Sequence, residues 1–115
     1  MASLKGTLLQ RTRSAIRAYN IQRARLVREA AESGGAEAAA VLEEEFDALC
    51  NAAFTLQRAS LKRNHRRYRR LLAEATEGVT RARELIQGAA SASAVLDGLA
   101  TAVTLAGRTL LLLGK

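Results

Sequence analysis

Residues 36–77 read AEAAAVLEEEFDALCNAAFTLQRASLKRNHRRYRRLLAEATE, 42 positions without a glycine or a proline. A run that long without a breaker predicts helix. Within it Leu42, Phe46, Leu49 and Ala53 step by 4, 3 and 4. A second frame, Leu61, His65, Tyr68, Leu72, Ala75, Val79, Ala82 and Ile86, steps by 4, 3, 4, 3, 4, 3 and 4. Both spacings describe one face of an amphipathic helix. The frames join through 53, 57 and 61, and two steps of four in succession are a stutter in a heptad pattern. A single bent helix over about 36–87 accounts for the stutter, and so does a break near Asn64. The break would place Arg66, Arg67, Arg69 and Arg70 in the first turns of a new helix, where the dipole disfavours cations. The sequence therefore favours continuity.

Working outward, Ser33-Gly34-Gly35 closes an earlier helix over about 3–33, because glycine takes the left-handed cap conformation cheaply. Its apolar face is Leu4, Leu8, Ala15, Ile16, Tyr19, Leu26, Val27 and Ala30, interrupted at Thr12 and at Gln22–Arg23. After Gly88 a third helix spans about 91–113, with Ser91 or Ser93 as the N-cap. Ala92, Leu96, Leu99, Val103, Ala106, Leu110 and Leu113 step by 4, 3, 4, 3, 4 and 3, opposite a polar stripe of Asp97, Thr101, Thr104 and Arg108. Gly98 and Gly107 each cost about 1 kcal/mol inside a helix but permit close helix approach.

Composition agrees with this reading. Ala and Leu supply 24 and 18 of the 115 residues, Val and Ile together only 8, and proline and tryptophan are absent. Good helix formers dominate and strand formers are scarce, which excludes a β protein and disfavours α/β. The expected fold is all-α: one domain over 1–115, an antiparallel bundle of three long helices, or four if the central helix breaks near residue 64. Helix is expected over at least about three quarters of the chain, with no sheet.

The net charge is +7, and its distribution is blocked. Residues 1–28 carry seven bases and no acid, residues 29–57 seven acids and no base, and residues 58–70 seven bases and no acid. The acidic block is expected to lie on the first helix, with Arg11, Arg13 and Arg17 near Glu43, Glu44 and Asp47. A lone cysteine, Cys50, permits no intrachain disulfide and fits a reducing compartment. The first 20 residues lack the apolar core of a secretory signal, so the expected location is cytoplasmic. An Arg-rich, acid-free, amphipathic start also reads as a mitochondrial transit segment, but pairing with the acidic block favours a helix of the mature domain.

Little here carries chemistry. His65, within Arg63-Asn64-His65-Arg66-Arg67, sits in a positive field that keeps imidazole neutral, and no partner at helical spacing completes a nucleophilic set. No Glu-x-x-His occurs, no glycine-rich phosphate loop and no carboxylate pair. Cys50 flanks core positions and reads as a small buried hydrophobe. The expectation is a non-enzymatic protein with no catalytic residue, cofactor or metal.

Two features point to partners. Arg58, Lys62, Arg63, Arg66, Arg67, Arg69 and Arg70 put seven cations within 13 residues, a polyanion-binding surface suited to nucleic acid, an acidic protein or anionic lipid. The uncharged stretch between Asp97 and Arg108 is 10 residues, too short for a membrane span of about 20. The third helix is thus expected to pack in protein, with Leu96, Leu99, Val103, Leu110 and Leu113 forming a homo-oligomer interface, a dimer by preference, or receiving a partner helix. These features describe a structural or adaptor protein that self-associates or binds a helical partner. A nucleic-acid-binding accessory protein using residues 58–70 and a peripheral membrane protein are the alternatives.

Overall fold

The computed structural model describes residues 4–58 and 66–113, the side chains of Leu4, Arg66, Arg67, Tyr68, Leu112 and Leu113 excepted. It is all-α: α1 spans Leu4–Arg58, α2 Arg66–Gln87 and α3 Ala92–Leu113. No strand occurs among the described residues, and helix exceeds the expected three quarters of the chain.

α1 is one element by its hydrogen bonds but folds back on itself at Gly35, whose φ of 77° and ψ of −171° are not helical. This region of backbone space is essentially reserved for glycine. Gly34 is equally constrained: a Cβ there would lie 2.6 Å from Cβ of Ala38. The result is a hairpin of two limbs. Tyr19 stacks on Phe46 with ring centroids 4.0 Å apart, and Arg23 Nε donates to Glu43 at 2.8 Å. Stacked rings and a shared carboxylate fix the register of the limbs.

That register corrects the expected pairing of charges. Glu43 meets Arg23 and Tyr19, not Arg11, Arg13 or Arg17. A turn at Gly35 sets residues 43–47 level with residues near 19–23, so the earlier arginines lie further down the limb.

α2 runs parallel to the first limb, since Arg83 donates to Ser14 at 3.4 Å and Arg25 reaches the carbonyl of Ala90 at 3.2 Å. The second limb runs the other way. The chain therefore reverses direction between Arg58 and Arg66, and the expected continuous helix over 36–87 does not exist. A helix of 52 residues would measure about 78 Å, whereas the molecule is 47 Å in its longest dimension. The stutter at 53, 57 and 61 marks a join between two helices with separate core faces. Cations in the first turn of α2 cost at most about 1 kcal/mol each when exposed. Against that, folding back buries Leu72, Ala75, Val79, Ala82 and Ile86, each 2% exposed or less. Each large apolar side chain fully buried contributes about 1.5–3 kcal/mol, so packing overrides the dipole. The break near Asn64 itself lies outside the described residues, as do Leu61 and His65.

α3 returns antiparallel to α2. A Cβ on Gly98 would lie 2.9 Å from Leu85 Cδ1 and 3.5 Å from Ala82 Cα, and one on Gly78 would meet Leu105 Cδ1 at 2.8 Å. These glycines bring the two backbones together, as the sequence suggests for Gly98. Gly107 has nothing within 4 Å of a built Cβ, so its glycine serves no contact. Close approach rotates α3: its buried positions are Ala92, Val95, Leu99, Ala102, Ala106 and Thr109, while Leu96, Val103 and Leu110 lie half-buried on the flank. The expected polar stripe, Asp97, Thr101, Thr104 and Arg108, is exposed throughout.

The α2–α3 turn is a Schellman motif, in which Ala90 N–H donates to Leu85 O at 2.9 Å and Ala89 N–H to Ile86 O at 3.2 Å. The residue in the left-handed conformation is Ala89, with φ 57°, and not Gly88 beside it. Ser91 is the N-cap of α3, its Oγ accepting from Ala94 N–H at 3.2 Å. Glu29 joins the cap from outside: one carboxylate oxygen accepts from Arg25 at 2.7 Å and the other from Ala92 N–H at 3.3 Å. An anion at a helix N-terminus is stabilised by the dipole, so this pair straps α1 to the turn.

Candidate polyanion-binding end

The alternating helix directions gather four helix ends at one pole of the bundle: the start of α1, the end of its second limb, the start of α2 and the end of α3. Residues 4–11, 51–58, 66–77 and 104–113 carry eight basic side chains and two acids, Glu74 and Glu77. The opposite pole is the tip of the α1 hairpin. Residues 18–47, both limbs of that tip, carry seven acids and three bases, Arg23, Arg25 and Arg28. The hairpin tip is thus net acidic and the opposite end net basic, with Arg23 and Arg25 paired to acids at the tip.

Of the seven cations expected to bind polyanions, Arg58, Arg69 and Arg70 are exposed at the basic pole. Arg66 and Arg67 belong to the first turn of α2, and their side chains, with all of Lys62 and Arg63, lie outside the described residues. The arginines at hand are barely neutralised. Arg70 Nε lies 3.5 Å from Glu74, an exposed i,i+4 pair of the kind worth about 0.3–0.5 kcal/mol. The Arg58 guanidinium sits 5.6 Å from the ring centroid of Phe54, itself 60% exposed. Sequence reasoning finds the run 58–70 but misses Lys5, Arg11 and Arg108, which only the chain directions bring to the same pole.

The expected oligomer interface does not form one surface. Leu99 is fully buried inside the bundle and is unavailable to a partner. Leu96, Val103 and Leu110 pack against the core from the side, and the side chain of Leu113 is outside the described residues. The physical reason is the rotation imposed by Gly78 and Gly98. Leu111, outside the expected set, is 72% exposed. By length and composition alone, α3 reaches what a membrane span requires, with mean hydropathy 1.3 over Ala92–Leu111. The shorter uncharged interval understates it, because the apolar stretch tolerates Asp97 and Arg108.

Among the described residues no group of His, Cys, Asp and Glu is arranged to hold a metal. Cys50 packs beside the core, and burial, reinforced by Asp47, pushes its thiol pKa up. At neutral pH it is a protonated hydrophobe and not a thiolate nucleophile. Tyr19 is a structural phenol: burial, then the hydrogen bond to Glu43, holds it well above the ordinary tyrosine range. A groove of about 660 Å³ lies open along α2, with Arg11, Glu74, Glu77, Arg81, Glu84 and Leu105 on its walls. Its charges are mixed.

The chain matches no family model, no curated protein and no solved structure.

Proposed function

We propose that the protein is a non-enzymatic helical adaptor that docks its basic pole on an anionic partner. The observation that carries this reading is the concentration of eight cations against two acids where four helix ends meet. Such a field raises on-rates for anionic partners and discriminates against basic ones. Among the described side chains there, Arg58, Arg69, Arg70 and Arg108 are exposed and only Arg70 has an acid beside it, so docking breaks few existing interactions. Self-association belongs to the same reading, but α3 offers only its flank to it.

The test is a titration of labelled duplex DNA, single-stranded DNA, polyglutamate and anionic vesicles at two salt concentrations. Binding to at least one polyanion, weakening with salt, is expected. If nucleic acid binds, about four to six phosphate contacts give a slope of log affinity against log salt near −4 to −5. Changing Arg58, Arg69 and Arg70 to Gln removes up to three contacts and flattens that slope by about 3. Failure to bind any of the four at low salt overturns the reading.

An anionic lipid surface is the second reading. Phe54 and Leu111 are exposed on the basic half of the bundle at 60% and 72%, and apolar side chains among cations suit a headgroup boundary. Vesicle binding that is lost on Phe54→Ser and Leu111→Ser, with DNA ignored, selects it.

A further inference from the structure

The outer seam of the α1 hairpin carries an apolar strip toward its basic end. Arg23 and Glu43 meet on that seam at 2.8 Å, with the stacked Tyr19 and Phe46 on its core side. At 3.6 residues per turn, the positions two and four turns below Arg23 return to within about 40° of it. They are Ile16 and Leu9, on the side away from Tyr19. Two and three turns beyond Glu43, Cys50 and Phe54 return to within about 20° of it. The hairpin register, Tyr19 on Phe46 and Arg23 on Glu43, sets Phe54 level with Arg11–Thr12, between Leu9 and Ile16, and Cys50 level with Ala15–Ile16. Leu9, Ile16 and Cys50 are half-buried against the core, and Phe54 is 60% exposed. The two limbs thus bring four apolar side chains to one strip about 10 Å long, the rise from Leu9 to Ile16.

Each bank of the strip carries a cation. Arg13 stands about 80° outward of Arg23 on the first limb, and Arg58 about 60° outward of Glu43 on the second. Both are exposed, and among the described residues neither has an acid within ion-pairing distance. The Arg58 guanidinium lies 5.6 Å from the Phe54 ring centroid. Further up the same bank Asp47 is exposed and ends the basic stretch toward the acidic tip.

We propose that this strip seats an amphipathic helix of a partner protein, apolar on the seated face and acidic on its flanks. A helix laid in a groove anchors through apolar side chains at i, i+3 or i+4, and i+7, and such a set spans about the same 10 Å. Acids flanking those anchors reach Arg13 on one bank and Arg58 on the other. A bare polyanion would use only the banks and leave Leu9 and Ile16 uncovered, whereas an apolar helix face covers both together with Phe54. The proposal rests on the reading that the basic end takes an anionic partner, and names that partner's class.

The probe is a synthetic helix of glutamate and alanine with leucine at i, i+4 and i+7, set against a peptide of the same composition with the leucines scattered around the helix. In calorimetric titrations at low salt the patterned peptide is expected to bind at least about tenfold tighter than the scattered one. Phe54→Ser should remove that advantage and leave the scattered peptide unchanged. Arg13→Gln should weaken the patterned peptide and reduce its salt dependence. Leu111→Ser, on α3 and outside the seam, should change neither. The substituted side chains are all exposed, so unchanged helicity by circular dichroism is the control. Equal affinity for the two peptides overturns the proposal, and so does an advantage that survives Phe54→Ser. Single-stranded DNA or anionic vesicles that bind through Phe54, with no gain from patterning the peptide, also overturn it. Each of these outcomes leaves the polyanion binding of the basic pole standing, whereas failure of DNA, polyglutamate and vesicles alike removes that reading too.

Discussion

Gly35→Ala isolates what holds the α1 hairpin shut. Nothing lies within 4 Å of a Cβ built at Gly35, so the substitution introduces no clash. Its cost is backbone strain alone, because φ 77° with ψ −171° is a region L-residues rarely enter. Residues held there cost about 1–3 kcal/mol. Alanine also restricts the unfolded chain, which returns about 0.4–1 kcal/mol. The net loss is therefore about 1–2 kcal/mol. Urea denaturation followed by circular dichroism is the assay, with the slope against urea unchanged if the native fold persists. The chain also has an escape. Alanine at 35 permits both limbs to run on as one helix of 55 residues, about 83 Å long, whose faces two chains would satisfy by swapping limbs. Light scattering distinguishes strain from swapping by mass. A Gly35→Ala chain with the stability and mass of the parent refutes the argument.

The turn and the third helix give a matched pair. Ala89→Gly relieves the left-handed alanine at φ 57° and Gly107→Ala adds helix propensity in open space. Each should raise stability by about 0.5–1 kcal/mol, seen as a higher thermal midpoint, whereas Gly98→Val should lower it by meeting Leu85 and Ala82. Tyr19→Phe should cost about 1 kcal/mol at neutral pH through the lost bond to Glu43. The folded-state pKa of Tyr19 lies above its unfolded value of 10.0, so its contribution is complete below pH 10 and lost as pH rises beyond it. The variant should show a shallower alkaline loss of stability, and an identical alkaline profile would contradict the shift.

Core positions within each helix are legible because period and burial coincide. Leu42, Phe46, Leu49 and Ala53 of the second limb are all buried, as are Leu72, Ala75, Val79, Ala82 and Ile86 of α2. What periodicity does not carry is direction. A stutter looks the same whether the helix bends or the chain turns back, and the dipole cost of Arg66–Arg70 is too small to decide. Rotation about an axis is also hidden where apolar residues flank both sides: α3 has leucines at 96 and 110 and small residues at 98 and 102, and backbone approach at the glycines selects the small side. Thr12 interrupts the apolar pattern of the sequence because its side chain is polar. It is fully buried, its hydroxyl donating to Leu8 O at 2.7 Å, which satisfies it locally. The basic pole was half legible, since the cluster 58–70 is contiguous while its neighbours are contiguous only in space.

Length gives the charge separation a further meaning. The bundle is 47 Å long, and the Debye length at physiological salt is about 8 Å. The outermost charges of the two ends are thus up to about six screening lengths apart, and in a cell they are largely screened from one another. A polyanion at the basic pole feels little repulsion from the acidic tip. At 0.01 M salt the screening length grows to about 30 Å, and the molecule becomes a single electric dipole that approaches a charged plane end-on. Dilute buffer therefore does two opposed things to the same encounter: it strengthens each cation's pull and admits the distant acids to the interaction.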